Sequence, residues 1–246
     1  MKIYWFLVMG IFFISCTKQS NKINSVEITP LLQDSLSVRA ISPIDTNKTW
    51  FAANKGVVGL LSGKEKKVAI VKYDEKPLQF RAIARTSQAV FVLSIENPAV
   101  LYKIGYNNDE ATNIEEVYIE KKEGVFYDAM AFWNDKEGIA VGDPIGSCLS
   151  VIVTNDGGNT WKKLPCNVLP KVEKGEAAFA ASNTNVKVLG NQVWIVTGGK
   201  KARVFYSKDK GKSWKVFNTP IIQGKAMTGI YSVDFYDKNT GIIVGG

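Results

Sequence analysis

The stretch "TNDGGNTW" (Thr154 to Trp161) returns in altered form as "SKDKGKSW" (Ser207 to Trp214), 53 positions later. Thr154 or Ser207 opens the phrase, an aspartate follows two places on and a glycine two places after that, and a hydroxyl residue and a tryptophan close it. The pattern predicts one short hairpin turn built twice. Asp156 and Asp209 are suited to accept hydrogen bonds from turn amides. Gly158 and Gly211, with Gly157 beside the first, permit positive φ. Thr160 and Ser213 add a hydroxyl to the turn, and Trp161 and Trp214 cover the apolar side of the hairpin. The phrase marks a fold and not an active site.

The same repetition extends along the chain. A short strand pattern recurs as "SVRAIS" (37–42), "FRAIAR" (80–85), "YDAMAF" (127–132), "EAAFAA" (176–181) and "YSVDFY" (231–236). A more apolar strand follows each, as "TWFAAN" (49–54), "VFVLSI" (90–95), "GIAVGD" (138–143), "VWIVTG" (193–198) and "GIIVGG" (241–246). A third strand leads into the quoted turn and a fourth leaves it. Four strands in a period of roughly 40–55 residues are the signature of a β-propeller blade. One blade cannot bury both faces, and stacking blades about an axis does so. The fold expected is therefore all-β, a propeller of four-stranded blades.

"VEITPL" (26–31) matches the outer strand "WKVFNTP" (214–220) and is expected to serve as the outermost strand of the last blade. Residues 38–246 would then hold four blades and half of a fifth, which suggests a C-terminally truncated reading. Closure would need roughly 20 further residues for five blades, or about 100 for the seven expected of the complete propeller.

At 46% hydrophobic and 22% charged residues, the composition supplies a globular core. The net charge is +8, and only Arg39, Arg81, Arg85 and Arg203 of the 31 basic residues are arginines. The scattered lysines read as a solvated surface or as attraction to an anionic partner or membrane; nucleic acid is not expected, because no binding motif accompanies the charge. The absence of histidine removes Ser-His-Asp and Cys-His catalysis and imidazole metal sites. Neither a P-loop nor a C-x-x-C pair occurs, so no metal and no cofactor is expected.

The N-terminus reads as an address. "MKIYWFLVMGIFFISC" has one lysine, an uncharged run from Ile3 to Ser15, and then Cys16. The run is short for a membrane span and fits the hydrophobic part of a secretory signal. "FISC" resembles a bacterial lipobox, with Phe13 in place of the usual Leu. The resemblance implies that 1–16 are a lipoprotein signal ending at a lipidated Cys16; an ordinary cleaved signal is the alternative. Residues 17–25 would form a flexible tether and 26–246 the propeller. The location implied is extracytoplasmic, lipid-anchored to a bacterial membrane, periplasmic or outer-membrane associated. Disulfides persist there. If the first turn folds about Gly157, Cys148 and Cys166 face each other across the ladder and can bond; a bulge would separate them, leaving two buried thiols.

The twice-written turn resembles the Asp-box, or BNR repeat, of sialidase-type propellers, a structural turn on the rim away from the axial site. "GIAVGDP" (138–144), the first box, "GEAAFAASNTN" (175–185), "WIVTGGKKARVFYSKDKGKSW" (194–214) and "TPIIQGKAMTGIYSVDF" (219–235) together resemble the photosystem II stability/assembly-factor-like propellers. Members outside phototrophs often carry an oxidoreductase label, yet no residue here would carry redox chemistry. The resemblance implies a binding or assembly scaffold for an envelope protein complex or a small polar molecule.

Candidate ligand residues lie in the inner strands. Arg39 and Arg81 hold equivalent places in two first strands, and Asp128 and Glu176 are expected near the same place in later ones. The four form either an axial polar ligand site or inter-blade salt bridges. Ala177, Ala178, Ala180 and Ala181 leave space beside Glu176 for a ligand, or relieve crowding at the axis. The competing function is a sialidase-like glycosidase, which needs three arginines, a Tyr–Glu pair and an acid. A purely structural or adhesive module is the third class. Catalysis is not expected.

Overall fold

The computed structural model describes residues 24–180 and 183–246. The expected signal, most of the tether and Cys16 lie outside the described residues. Residues 24–32 carry no strand and are exposed but for half-buried Leu32, so "VEITPL" is not an outer strand in this structure. Gln33–Gly246 form one compact unit.

That unit is built from antiparallel blades. The first is β1 (Val38–Pro43), β2 (Lys48–Ala53), β3 (Val57–Ser62) and β4 (Glu65–Ile70), paired in that order. A small hairpin, β5 (Lys72–Tyr73) with β6 (Lys76–Pro77), leads to the second blade: β7 (Phe80–Arg85), β8 (Ala89–Ser94), β9 (Ala99–Asn107) and β10 (Glu110–Glu120). The third is β11 (Tyr127–Phe132), β12 (Gly138–Pro144), β13 (Leu149–Thr154) and β14 (Lys162–Lys163). The fourth contains β15 (Glu176–Ala177), β16 (Val186–Leu189), β17 (Gln192–Val196), β18 (Gly198–Gly199), β19 (Arg203–Ser207) and β20 (Lys215–Asn218), and β21 (Ile230–Phe235) with β22 (Gly241–Gly245) is half of a fifth. The inner strands neighbour one another in turn: β1 beside β7, β7 beside β11, β11 beside β16 and β16 beside β21. This is a partial β-propeller.

Strand periodicity explains the core. Alternate side chains leave opposite faces of a strand, so each second strand feeds two inter-blade layers. In β8, Val90 and Val92 pack toward the first blade, while Phe91 and Leu93 pack toward the third. In β17, Val193 and Ile195 join the third blade, and Trp194 and Val196 join the fifth. The second strands read as nearly unbroken apolar runs because both of their faces are buried.

The fourth blade corrects the sequence reading. Its inner strand opens as Glu176–Ala177, paired with Gly198–Gly199, and resumes only at Val186, paired with Ile195. "EAAFAA" is therefore not a continuous first strand. Counting back from Val196, which donates to Asn185 O, the place that Asp128 holds in β11 belongs to Thr184 and not to Glu176.

The two boxes are rim turns. Asp156 Oδ1 accepts from Thr160 N at 3.0 Å and Thr154 Oγ1 at 2.8 Å, while Gly158 N donates to Thr154 Oγ1 at 3.0 Å. Asp209 does the same with Ser213 N and Ser207 Oγ, both 2.8 Å, and Gly211 N donates to Ser207 Oγ. The Ser213 hydroxyl heads the bonds that hold the Asp209 carboxyl down at about 2. Burial opposes the charge of Asp156, but the Thr160 and Thr154 hydrogen bonds outweigh it and keep that carboxyl below its usual range. Gly158 and Gly211 have φ of 78° and 84°; the place before them is also left-handed, held by Gly157 in one box and Lys210 in the other. Trp161 and Trp214 pack into the layer shared with the preceding blade. The repetition thus fastens one blade to the next.

Cys148 and Cys166 are joined in a disulfide, with Cα atoms 5.5 Å apart. The ladder beside them runs one residue out of the expected register, pairing Ile152 with Lys163 and Val153 with Lys162. Two left-handed glycines lengthen the turn by that residue. The bond forms because the strand leaves the ladder after Leu164, whose N–H meets Val151 O, and Cys166 turns back toward Cys148.

Candidate functional site at the inner strands

Four of the inner strands carry the same irregularity. Register slips between Val38 and Ala40, Phe80 and Ala82, Tyr127 and Ala129, and Ile230 and Ser232. The residue left unpaired at each bulge is Arg39, Arg81, Asp128 or Tyr231. Bulges re-aim a side chain out of the pleat, so one repeated backbone feature presents two arginines, an aspartate and a tyrosine at equivalent places.

The first three are electrostatic neighbours. Arg39 is exposed and donates from Nε to Ser37 Oγ at 3.0 Å. Burial, then the Arg39 charge, lowers the Arg81 pKa, while Glu96 and Asp128 oppose this. Asp128 has no exposure, and neither carboxyl oxygen has a hydrogen-bond partner among the described residues. Burial pushes its pKa well above the usual carboxylate range, the nearby Asp143 pushes the same way, and Arg81 opposes them. Asp143, at the end of β12, is itself pushed up to about 6 by burial, against a hydrogen bond from Ala178 N. Burial thus disfavours the charge of Asp128, with the Arg81 guanidinium acting against it.

The segment that interrupts the fourth blade reaches across to these strands. Arg81 Nη1 donates to Ala180 O at 3.1 Å. Asn183, with φ of 62°, donates to Ile83 O in β7 and accepts from Met130 N in β11. Phe179 stacks on Tyr231 with centroids 4.8 Å apart. Ala181 lies outside the described residues, and Ala178 is buried.

Glu176 is engaged elsewhere. It accepts from Arg203 Nε at 2.9 Å and Nη2 at 2.5 Å, from Thr197 Oγ1 at 2.6 Å and from Glu173 N at 2.8 Å. Glu176 does form a salt bridge, but with Arg203 inside the fourth blade and not between blades as the sequence suggested, and Asp128 forms none among the described residues. Among the described residues the structure brings two arginines together and not three, since Arg85 Nε donates to Pro43 O. Glu173, Glu176 and Asp143 border a groove of about 610 Å³ between the third and fourth blades.

Asp143 and Asn183 escaped the sequence reading. Asp143 carried a signal: by register it stands where Asn54, Ile95 and Gly246 stand in other repeats, each donating its N–H to the residue just before the inner strand. An acid at a position otherwise neutral was legible. Asn183 carried only a weak one, a run of polar residues breaking an alanine-rich pattern.

Asp128 yields a pH prediction. A carboxyl whose pKa is raised on folding contributes stability that is complete below its unfolded value, near 4, and lost as pH rises toward the folded value. Asp128→Asn removes that loss. The variant melts above wild type at pH 7 by roughly 2–4 °C per kcal/mol recovered, and the gap closes as pH falls to 4. Parallel melting curves of the two proteins against pH contradict the assignment.

No protein-family model matches the chain, and no curated protein matches it. Among solved structures it is similar to the WD40 repeats of RRP9, at 14% identity and TM-score 0.56 over 82% of this chain and 56% of that one. It is similar to a Mycobacterium tuberculosis puromycin-hydrolyzing peptidase, at 11% identity and TM-score 0.56 over 88% of this chain and 34% of that one. YCF48 bound to D1 peptide matches at 10% identity and TM-score 0.44, over 90% of this chain and 95% of that one. The chain spans little more than half the length of the WD40 structures, and the likeness to them is one of fold.

Proposed function

We propose that this chain is a binding propeller of the bacterial envelope, anchored by lipid at Cys16, whose inner-strand arginines hold a carboxylate of a protein partner or small polar ligand. The observation that carries the reading is the shared bulge position of Arg39 and Arg81 in adjacent inner strands. Two neighbouring guanidinium groups repel, and an anion between them relieves that repulsion. Their planar forks suit a carboxylate in particular. Burial disfavours the charge of Asp128, which reduces its repulsion of such a guest. The anchor rests on "FISC" and the uncharged run before it, and the scaffold role rests on a chain without histidine or a recognisable nucleophile pair.

The test is calorimetric titration of the purified protein with trialanine. Wild type binds saturably, and Arg39→Gln and Arg81→Gln each weaken binding about tenfold or more, the scale of one lost charged hydrogen bond. Variants that bind as tightly as wild type overturn the site. In cells, wild type sediments with membranes and Cys16→Ser stays soluble; a membrane-bound Cys16→Ser removes the anchor from the proposal.

A further inference from the structure

The fourth blade differs from its neighbours beside the arginine bulges. In the other inner strands the bulge leads straight into the ladder. In the fourth, the ladder stops at Ala177 and resumes at Val186. Backbone polar groups released from a ladder need other partners, and two of these find theirs on side chains of neighbouring blades. Ala178 N donates to Asp143 Oδ1 at 2.9 Å, and Ala180 O accepts from Arg81 Nη1 at 3.1 Å. A carbonyl of the chain's own backbone thus stands at the fork proposed to hold a guest oxygen. The contacts on either side of it fasten it there. Phe179 stacks on Tyr231 of the fifth blade and lies over the bare backbone of Gly198, where a Cβ would come within 2.2 Å of the ring. Asn183 takes a left-handed φ of 62° and bridges two blades, donating from Nδ2 to Ile83 O at 2.8 Å and accepting from Met130 N at 2.9 Å.

We infer that Ala178–Ala180 is a built-in occupant of the arginine site, which a guest carboxylate displaces, and that Asn183 sets the affinity of the site by holding the occupant in place. The inference rests on the carboxylate reading above and adds its regulation. The exchange is favourable at Arg81 itself, because a carboxylate accepts charge-assisted bonds roughly twice as strong as those to a neutral carbonyl. The occupant's advantage is covalent attachment, which keeps it beside the fork at a high effective concentration. A site that is open for only a fraction of the time binds its guest more weakly by that fraction. Loosening the occupant therefore tightens guest binding. Loss of a contact that merely shapes the site would weaken it.

The test is calorimetric titration of the full chain with trialanine, in wild type and in Asn183→Gly. Glycine keeps the left-handed backbone and removes both side-chain hydrogen bonds. The variant binds trialanine about tenfold more tightly than wild type, the scale of one hydrogen bond. In the wild-type protein, saturating trialanine also speeds hydrogen exchange at the Ala178 amide, because its bond to Asp143 opens as the occupant leaves. That measurement decides alone if Asn183→Gly does not fold. Wild-type binding with equal or weaker binding by Asn183→Gly, or with unchanged exchange at Ala178, overturns the occupant and leaves the carboxylate site standing. Binding of trialanine by neither protein overturns both.

Discussion

Replacing Glu176 with alanine lowers the unfolding free energy by about 3–5 kcal/mol, the range for removing one partner of a buried ion pair. The Glu176 side chain has no exposure and that of Arg203 has 12%. The carboxylate accepts four hydrogen bonds, two from the Arg203 fork, one from Thr197 and one from the Glu173 backbone. Without it the guanidinium keeps Lys171 O and its place over the Phe205 ring, but its charge is uncompensated. Glu176 also anchors the two-residue start of the interrupted inner strand, opposite Gly199. Replacing both partners, as Glu176→Leu with Arg203→Met, recovers much of the loss, because apolar pairs of similar volume often match buried ion pairs. Urea denaturation of the three proteins measures this. A loss below about 1 kcal/mol for Glu176→Ala would place the pair among ordinary surface ion pairs.

Gly158→Ala has the second large effect, about 2–5 kcal/mol. A left-handed conformation costs a non-glycine residue about 1–2 kcal/mol, and overpacking a core about 1–3 kcal/mol. The new Cβ would lie 2.2 Å from Phe91 Cε1 and 2.5 Å from Cζ, and Phe91 is fully buried against Phe132 and Trp161. The other box supplies the control. At Gly211 a Cβ meets Trp214 no closer than 3.4 Å, so Gly211→Ala incurs only the backbone cost, about 1–2 kcal/mol. Equal losses in thermal or urea denaturation would mean that the boxes stabilise only their own turns. The unequal losses expected here mean that the first box also locks the second blade to the third.

The blades were legible in the sequence because their strands are short, apolar and regularly spaced, and the boxes were legible because eight residues contain the aspartate, its hydroxyl partners and the left-handed glycine. Contacts made between distant parts of the chain were not. "EAAFAA" has the composition of an inner strand, yet the ladder resumes ten residues after Glu176, at Val186, and only long-range pairing reveals this. The same displacement moved Glu176 out of the row that contains Arg39, Arg81 and Asp128, and into the hands of Arg203. The hairpin register erred by one residue because both Gly157 and Gly158 are left-handed, which a count about a single turn centre does not anticipate. Arg39 and Arg81 were found together because their strands repeat closely enough for position to predict place. Asp143 stood out only as an acid at an otherwise neutral position, and Asn183 went unnoticed because its contacts with Ile83 and Met130 are long-range.

The measurement that tests the account most directly is titration of the wild-type protein with trialanine and with trialaninamide. The two differ only in the carboxylate that Arg39 and Arg81 are proposed to hold. The account predicts saturable heat from the acid and none from the amide. Equal binding of both, or binding of neither, contradicts a carboxylate site at the inner strands.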